Sequence, residues 1–166
     1  MHIRLIKLLL VAASGLFLLL VVFNNLTDYG SNLLFVENVL KMSTTFEGNT
    51  AMWRAIESPL VHHLFYASII GWELAACILI GIGSWQLLKN LKGSSAAFNR
   101  AKRWAVIGLG VSLLQWYVAF LTVGGEWFLM WQSPTWNGQD AAHRMFVVMG
   151  VSLVFLNQPD PEIDAA

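Results

Sequence analysis

Four apolar runs divide this chain and constrain its fold more than any other feature of the sequence. The first, "LIKLLLVAASGLFLLLVVF", covers residues 5–23, and the others cover about residues 59–88, 104–123 and 141–156. A helix needs about 20 apolar residues to cross the hydrocarbon of a bilayer. The runs therefore predict an all-α membrane protein, a four-transmembrane-helix bundle that forms a single domain over residues 1–166.

The composition agrees with a protein that folds in lipid. Hydrophobic residues make up 57% of the 166 residues and charged residues 12%, against about 45–50% and about 25% in soluble domains. A lipid bilayer is therefore the expected partner. The formal net charge of zero gives no reason to expect nucleic-acid binding. The single cysteine, Cys77, excludes an internal disulfide and a paired-cysteine redox centre.

The ends of the runs carry helix signals. A secretory signal peptide is the rival interpretation of the first run, because Arg4 and Lys7 form a basic start. The run is long and "NNLTDY" follows it without a small-residue cleavage motif, which favours an uncleaved span. Ser58 before Pro59 is a good start for the second span. Asp140 is the expected N-cap of the fourth span, the shortest of the set.

Lysine and arginine are distributed unequally between the two ends of the predicted spans. Seven lie before the first span or between the second and third, and three lie on the opposite side. The seven are Arg4, Lys7, Lys89, Lys92, Arg100, Lys102 and Arg103, and the three are Lys41, Arg54 and Arg144. The positive-inside rule then places both termini in the cytoplasm and residues 24–58 and 124–140 outside. We expect a multi-pass membrane protein with this orientation.

Glu73 lies near the middle of the second span. A charged acid at the bilayer centre costs about 2.5–3.5 kcal/mol, so we expect Glu73 to face the bundle. It shares one helix face with His62 and Tyr66. Gln115, at a similar depth in the third span, is its expected hydrogen-bond partner. Glu73 then either forms a hydrogen bond that packs two helices together or provides a site for a proton, a cation or a quinone.

Three histidines begin the second and fourth spans, and we expect them to share one layer at the outer face with several charged residues. The histidines are His62, His63 and His143, the acids are Glu57, Glu126 and Asp140, and the counter-charges are Arg54 and Arg144. Histidines from two helices can hold haem, and histidine with carboxylate suits a metal ion. No ligand spacing such as HxxxH is present, so ordinary interface histidines are the alternative.

The segment "GGEWFLMWQSPTWNGQDAAHR" separates the third and fourth runs. Its tryptophans, Trp127, Trp131 and Trp136, are typical of a membrane-interface belt, where an apolar ring also needs a partner for its N–H. The polar residues between them are not explained by a belt. With "SNLLFVENVLKM" in the other outer segment, which has the apolar periodicity of a short helix, the segment predicts an outer cap of short helices.

Several words of the sequence are specific enough to indicate a family. They are "NNLTDY", "MWRAI", the pair Trp72-Glu73, "GGEWFLMWQS" and "WNGQ". Together they resemble a bacterial family of predicted small integral membrane proteins with a domain of unknown function. The resemblance spans nearly the whole chain and implies a four-span inner-membrane protein. It implies no activity, substrate or catalytic residue.

Three functions are compatible with this pattern. The first is a non-enzymatic accessory or scaffold subunit that binds a partner membrane protein through its outer face. The second is a small proton- or cation-coupled transporter that uses Glu73. The third is a haem or quinone redox anchor that uses His62 or His63 with His143. No nucleophile motif and no phosphate-binding loop is present, so we expect no catalytic residue.

Overall fold

The fold is built from helices over residues 1–162, the part of the chain that the computed structural model describes. The helices of the bundle are α1 (His2–Thr27), α3 (Pro59–Lys89), α5 (Arg103–Gln115) and α6 (Gln139–Asn157). Two shorter helices are α2 (Tyr29–Leu40) and α4 (Ser95–Ala101), and short 3-10 turns cover Met52–Arg54 and Met130–Gln132. α5 continues directly into a π-helical segment, Trp116–Trp127. The prediction of an all-α membrane fold is confirmed.

Three helical stretches are long and apolar enough to cross a membrane, namely His2–Thr27, Pro59–Lys89 and Ser95–Trp127. The predicted fourth span corresponds to α6, which is not among them. The first two turns of α6, "QDAAHR", are polar, which leaves an apolar length of about 12 residues or about 18 Å. The hydrocarbon of a bilayer is about 30 Å thick. The count of four spans is therefore not confirmed.

Two predicted helix starts can be compared with the structure. α3 begins at Pro59 with Ser58 at the N-cap position, as predicted. α6 begins at Gln139 with Gly138 as its N-cap, so the prediction that Asp140 is the N-cap was wrong. Asp140 lies instead in the first turn of α6, where a negative charge is favourable beside the helix dipole.

Both described ends of the chain meet at one end of the bundle, which we call the termini end. Lys7, in the second turn of α1, pairs with Asp160, just beyond α6, at 2.7 Å. Arg4 donates a hydrogen bond to the carbonyl oxygen of Gly93, in the link between α3 and α4, at 2.6 Å. α6 therefore returns the chain to the end at which α1 begins.

α3 is the centre of the bundle and packs against both α1 and α5, while α6 packs against α5 and α1. Two glycines allow α3 and α5 to approach closely. A Cβ added to Gly83 would lie 2.6 Å from the Cβ of Ala105, and one added to Gly108 would lie 2.7 Å from Cγ1 of Ile80. Small residues at such contacts are the usual device by which membrane helices pack.

The outside of the bundle is apolar. Leu9, Leu16, Ile78 and Val151, from α1, α3 and α6, are each more than half exposed. An extended apolar surface of this kind would be costly in water and is matched by lipid hydrocarbon. The exposed leucine, isoleucine and valine side chains therefore form the lipid-facing surface of the protein.

At the end opposite the termini, the two connecting segments fold together into one layer, which we call the cap (residues 28–58 and 127–138). Its core is separate from that of the bundle. It contains Val36 and Leu40 from α2, Met42 beyond it, and Phe128 and Met130 from the second segment, all less than a tenth exposed. This core lies against the first turns of α3, so the prediction of a cap of short helices is confirmed.

Candidate functional site

Glu73 faces the inside of the bundle, as the cost of a charge in hydrocarbon predicts. Its side chain is only 2% exposed. Its Oε2 accepts a hydrogen bond of 2.7 Å from Nδ2 of Asn25, near the end of α1. The carbonyl oxygen of Asn25 also accepts a 3.0 Å hydrogen bond from the hydroxyl of Tyr66. Asn25 thus joins Tyr66 and Glu73, which lie two turns apart on α3.

The residue predicted to bond Glu73 was Gln115, whose side chain lies within hydrogen-bond reach of the carboxyl. Its Nε2 also donates to the carbonyl oxygen of Ile69 at 3.4 Å. The 2.7 Å hydrogen bond to Glu73 comes from Asn25, a second partner that belongs to α1 rather than α5. The sequence contained one usable signal, the polar pair Asn24-Asn25 directly after the first apolar run.

Three buried polar atoms where α5 meets the π-helical segment have no hydrogen-bond partner within residues 1–162, and one of them belongs to Gln115, beside Glu73. They are Oγ of Ser112, Oε1 of Gln115 and Nε1 of Trp116. The three residues lie along one turn of α5. Leaving a buried polar atom unpaired costs about 1–3 kcal/mol. The face of α5 near Glu73 therefore offers donors and acceptors that a further hydrogen-bonding group would satisfy.

The helix geometry changes at this polar turn. From Trp116 onward the backbone hydrogen bonds span five residues, as in the 3.0 Å bond from the N–H of Phe128 to the carbonyl oxygen of Val123. The indole N–H of Trp72, from α3, donates to the carbonyl oxygen of Val111 at 3.0 Å, just before the change. π-helical turns are rare and often occur at functional sites. The change of geometry begins directly after Gln115, which lies beside Glu73.

The two histidines that begin α3 have different surroundings. His62 is completely buried. Its Nε2 lies 2.7 Å from the carbonyl oxygen of Ile56, and its Nδ1 lies 3.9 Å from a carboxylate oxygen of Glu37. His63 is exposed, and its Nδ1 is 2.8 Å from the hydroxyl of Tyr29. Both imidazoles are therefore engaged within the cap and its border with α3.

His143 does not join the other two histidines. It is exposed on α6, whose main packing partners are α5 and the π-helical segment rather than α3. No hydrogen bond connects it to His62 or His63. Within residues 1–162, no group of three or more histidine, cysteine, aspartate or glutamate side chains is arranged to hold a metal ion. The predicted layer shared by three histidines is therefore corrected to two separate environments.

The charged residues predicted for that layer are also dispersed. Four of them are exposed and form no ion pair in the described part of the chain, namely Glu57, Glu126, Asp140 and Arg144. Both ion pairs of the cap involve Glu37 instead. Its carboxylate lies 3.8 Å from Lys41 and 3.9 Å from Nδ1 of His62. Glu37 was missed because a single acid on an amphipathic helix resembles any solvated residue.

Arg54 packs on tryptophans and not on acids. Its guanidinium lies 5.3 Å from the ring centre of Trp53 and 4.8 Å from that of Trp127. It also donates a 3.2 Å hydrogen bond to the carbonyl oxygen of Trp127. The two indoles meet edge to face at 5.9 Å. Trp53 is 72% exposed and Trp127 48% exposed, so the three residues form an aromatic-cationic patch on the surface of the cap.

The other two tryptophans of the predicted belt have different positions. Trp131 is exposed and meets the ring of Phe46 edge to face at 5.6 Å. Trp136 is half-buried and packs against Phe35 of α2 at 6.3 Å. Trp127 and Trp131 are thus free to contact headgroups or a protein, whereas Trp136 packs against the core of the cap.

The termini end holds a buried ion cluster. One carboxylate oxygen of Asp160 lies 2.7 Å from Nζ of Lys7 and 2.5 Å from Nζ of Lys102, with all three side chains at most 6% exposed. Burial by itself raises the pKa of the Asp160 carboxyl, but the hydrogen bonds and charges of Lys102 and Lys7 outweigh it and hold that pKa below its ordinary value. The distribution of lysine and arginine along the sequence predicted an orientation of the chain but not this cluster.

One cavity of about 190 Å³ opens beside the cap, between α2, α3 and the π-helical segment. Its lining is almost entirely apolar, and it includes Phe35, Phe65, Ile69, Trp72 and Phe120. The residues that line the cavity include no histidine, and they do not include Tyr66 or Glu73. The cavity therefore suits a hydrocarbon group and offers no redox partner from the predicted histidine set.

The bundle has an apolar outer surface, close glycine contacts between α3 and α5, and buried polar residues around Glu73. These features together define a helical integral membrane protein. The chain belongs to the family described as "Predicted small integral membrane protein (DUF2165)", which it matches over residues 3–159. No curated protein and no solved structure matches it. The family resemblance expected from the sequence words is thereby confirmed at the level of a small integral membrane protein.

Proposed function

We propose that this protein is a non-enzymatic accessory subunit that binds a partner membrane protein through its cap. The observation that carries the proposal is the surface patch formed by Trp53, Arg54 and Trp127, in which the two indoles meet edge to face and the guanidinium lies over both rings. Tryptophan and arginine are the residues most enriched where protein interfaces gain their binding energy.

The contacts that hold the patch in place favour a binding surface over a flexible surface loop. Arg54 is tied by its hydrogen bond to the backbone of the second cap segment, and Phe128, next to Trp127, is only 3% exposed in the core of the cap. Side chains held in place before binding lose less conformational freedom in the complex. The patch is therefore suited to contact a second protein at the membrane boundary.

The proposal is tested by affinity purification in a mild detergent, with quantitative mass spectrometry of the co-purified proteins. Trp53→Ala should lower recovery of the partner by about 30-fold or more, as expected for a tryptophan at the centre of an interface. Trp85→Ala is the matched control, because Trp85 is also exposed and carries a lysine, Lys89, over its ring. Equal losses in both variants, or no stoichiometric partner, would contradict the proposal.

The same proposal includes a fourth membrane crossing by α6 in a bacterial inner membrane, with both termini in the cytoplasm. It is supported by the contact of Asp160 with α1 and by the bias of lysine and arginine toward the termini end. Reporter fusions after residue 95 should be active only with a cytoplasmic reporter, and fusions after residue 45 only with a periplasmic one. The reverse pattern would overturn the orientation.

A second candidate function, proton- or cation-coupled transport, is favoured by the polar interior. Glu73 is buried and bonded to Asn25, and the unpaired atoms of Ser112 and Gln115 lie on the facing helix. An ionisable group buried inside a membrane bundle is a candidate functional site, and proton relays are one of its known uses. Glu73→Gln keeps the shape and the hydrogen-bonding capacity of the side chain and removes the titratable group.

Proton flux into vesicles containing the purified protein separates this candidate from a packing role. Under the transport hypothesis, Glu73→Gln abolishes flux and leaves the folded bundle intact. Ser84→Ala is a suitable control, because Ser84 bonds only the carbonyl oxygen of Ile80 within its own helix. Wild-type protein that supports no flux above protein-free vesicles would dismiss the transport hypothesis.

A further inference from the structure

A groove at the termini end combines cationic and aliphatic side chains. Its volume is about 770 Å³, and it lies between α4, the start of α5 and the end of α6. Arg100, Lys102 and Arg103 line one part of it, and Val106 and Ile107 line the next. A single groove therefore presents positive charge and hydrocarbon side by side.

The positive charge of the groove is in excess. Arg100 and Arg103 are exposed, and within residues 1–162 no carboxylate oxygen lies within 4 Å of either guanidinium. Arg4 and Lys7 are buried at the same end of the bundle, where the acids found within residues 1–162 are Asp160, which pairs with Lys7 and Lys102, and Glu162, which accepts a hydrogen bond from the N–H of Ser95. The cluster thus leaves net positive charge at this end of the bundle, which attracts an anion.

The order of residues along α5 sets the direction of the groove. Val106 and Ile107 follow Arg103 by three and four positions, so all three side chains lie on one face of the helix. Ile107 is 39% exposed and lies in Ser95–Trp127, the stretch that is long and apolar enough to cross a membrane. The face therefore changes from guanidinium to hydrocarbon within one turn, at the boundary of the predicted span.

We propose that this groove binds an anionic phospholipid. The phosphate would accept hydrogen bonds from the guanidinium groups of Arg100 and Arg103, since arginine matches phosphate in a two-pronged geometry. One acyl chain would lie along Val106 and Ile107. Basic pockets between membrane helices are known to bind anionic headgroups. A free phosphate ion would use the arginines and leave the aliphatic half of the groove without a role.

The test measures lipid preference in purified full-length protein. Native mass spectrometry in a mild neutral detergent follows binding of phosphatidylglycerol and phosphatidylcholine added in equal amounts. Each basic residue near an anionic lipid contributes a factor of about five, so loss of two lowers the preference by about 30-fold. The wild type should prefer phosphatidylglycerol, and the double variant Arg100→Gln with Arg103→Gln should lose that preference.

The matched control is the double variant Lys89→Gln with Lys92→Gln. It removes the same charge from two exposed residues near the same end that do not line the groove, and it should stay within about twofold of the wild type. Equal losses in the two double variants would overturn the proposal, because they would show general attraction to the membrane surface. Lack of any preference in the wild type would overturn it as well.

Two measurements on the wild type do not depend on how the variants fold. Raising sodium chloride from about 50 to about 500 mM should weaken the preference, because salt screens exposed charges. Inorganic phosphate, added at the same concentration as the lipid, should not displace phosphatidylglycerol. Complete displacement by phosphate would mean that the groove binds the free ion, and a preference insensitive to salt would remove the role of the arginines. Either result would overturn the proposal.

Discussion

The carboxylate of Asp160 is the single acid in the buried cluster that holds the two ends of the chain together, so its removal should be costly. Asp160→Asn keeps the size of the side chain and removes the charge that Lys7 and Lys102 contact at 2.7 and 2.5 Å. Breaking a buried ion pair by removal of one partner costs about 3–5 kcal/mol. Both lysines also donate to the carbonyl oxygen of Gln158 at 2.6 Å, which places the expected cost near the lower limit.

The expected loss of unfolding free energy for Asp160→Asn is therefore about 3 kcal/mol, or about a 100-fold change in the unfolding equilibrium. Lys7→Met should cost less, about 1–2 kcal/mol, because Asp160 keeps Lys102 and the repulsion between two lysines disappears. Lys92→Met, on an exposed residue, is the control and should change stability by less than about 0.5 kcal/mol.

Equilibrium unfolding in mixed detergent micelles, followed by circular dichroism as the proportion of denaturing detergent rises, measures these differences. The reasoning would be refuted by an Asp160→Asn protein that unfolds within about 0.5 kcal/mol of the Lys92→Met control, well below the cost of an uncompensated buried charge. It would also be refuted if Lys7→Met were the more damaging change. Intact helix content before unfolding is the check that each variant was folded at the start.

Three further predictions concern the Asp160 cluster, the contact between α3 and α5, and the hydrogen bond between Glu73 and Asn25. The pKa of the Asp160 carboxyl is lower in the folded protein than in the unfolded chain. The carboxylate therefore stabilises the fold fully above about pH 4, and this stabilisation is lost as the pH falls further. The difference in stability between the wild type and Asp160→Asn should accordingly become smaller in unfolding curves recorded at acid pH. Gly108→Ala should destabilise the bundle by about 1–3 kcal/mol through overpacking, whereas Gly110→Ala, where an added Cβ meets nothing within 4 Å, should be neutral or slightly stabilising in the same titration. Glu73→Leu should cost about 1–2 kcal/mol, because it leaves the amide of Asn25 without its partner, and a Glu73→Leu protein as stable as the wild type would contradict that assignment.

The sequence predicted the helices well because membrane spans depend on local properties. An apolar run of sufficient length is enough to predict a helix in lipid, since every backbone group must be satisfied within the segment. α1 and α3 accordingly extend beyond the predicted runs by only a few residues. The π-helical segment after Gln115 was not predicted, because its hydrogen-bond pattern depends on tertiary packing, here mainly against α6, and not on the composition of the run.

The candidate site was predicted only in part, because its partners come from distant helices. The position of Glu73 inside the bundle follows from the cost of an unpaired carboxyl in hydrocarbon. The identity of its closest hydrogen-bond partner does not, because Asn25 and Gln115 are both polar residues on neighbouring helices and only their packing distinguishes them. The prediction that the three histidines share one layer was wrong for a related reason. Helix starts at the same depth need not face each other, and α6 packs beside α5 rather than beside the start of α3.

The cluster at the termini end also explains how α6 stays in the bundle. Its apolar part is short for a membrane helix, so burial of its side chains gives less stabilisation than that of α1 or α3. Met149 and Leu156 are nevertheless fully buried, and the residues just beyond α6 are fixed to α1 by Lys7 and to the start of α5 by Lys102. The ion cluster thus supplies the attachment that hydrophobic length does not. If so, Asp160→Asn should loosen α6 before the other helices, and hydrogen exchange in Gln139–Asn157 should increase more than exchange in α3.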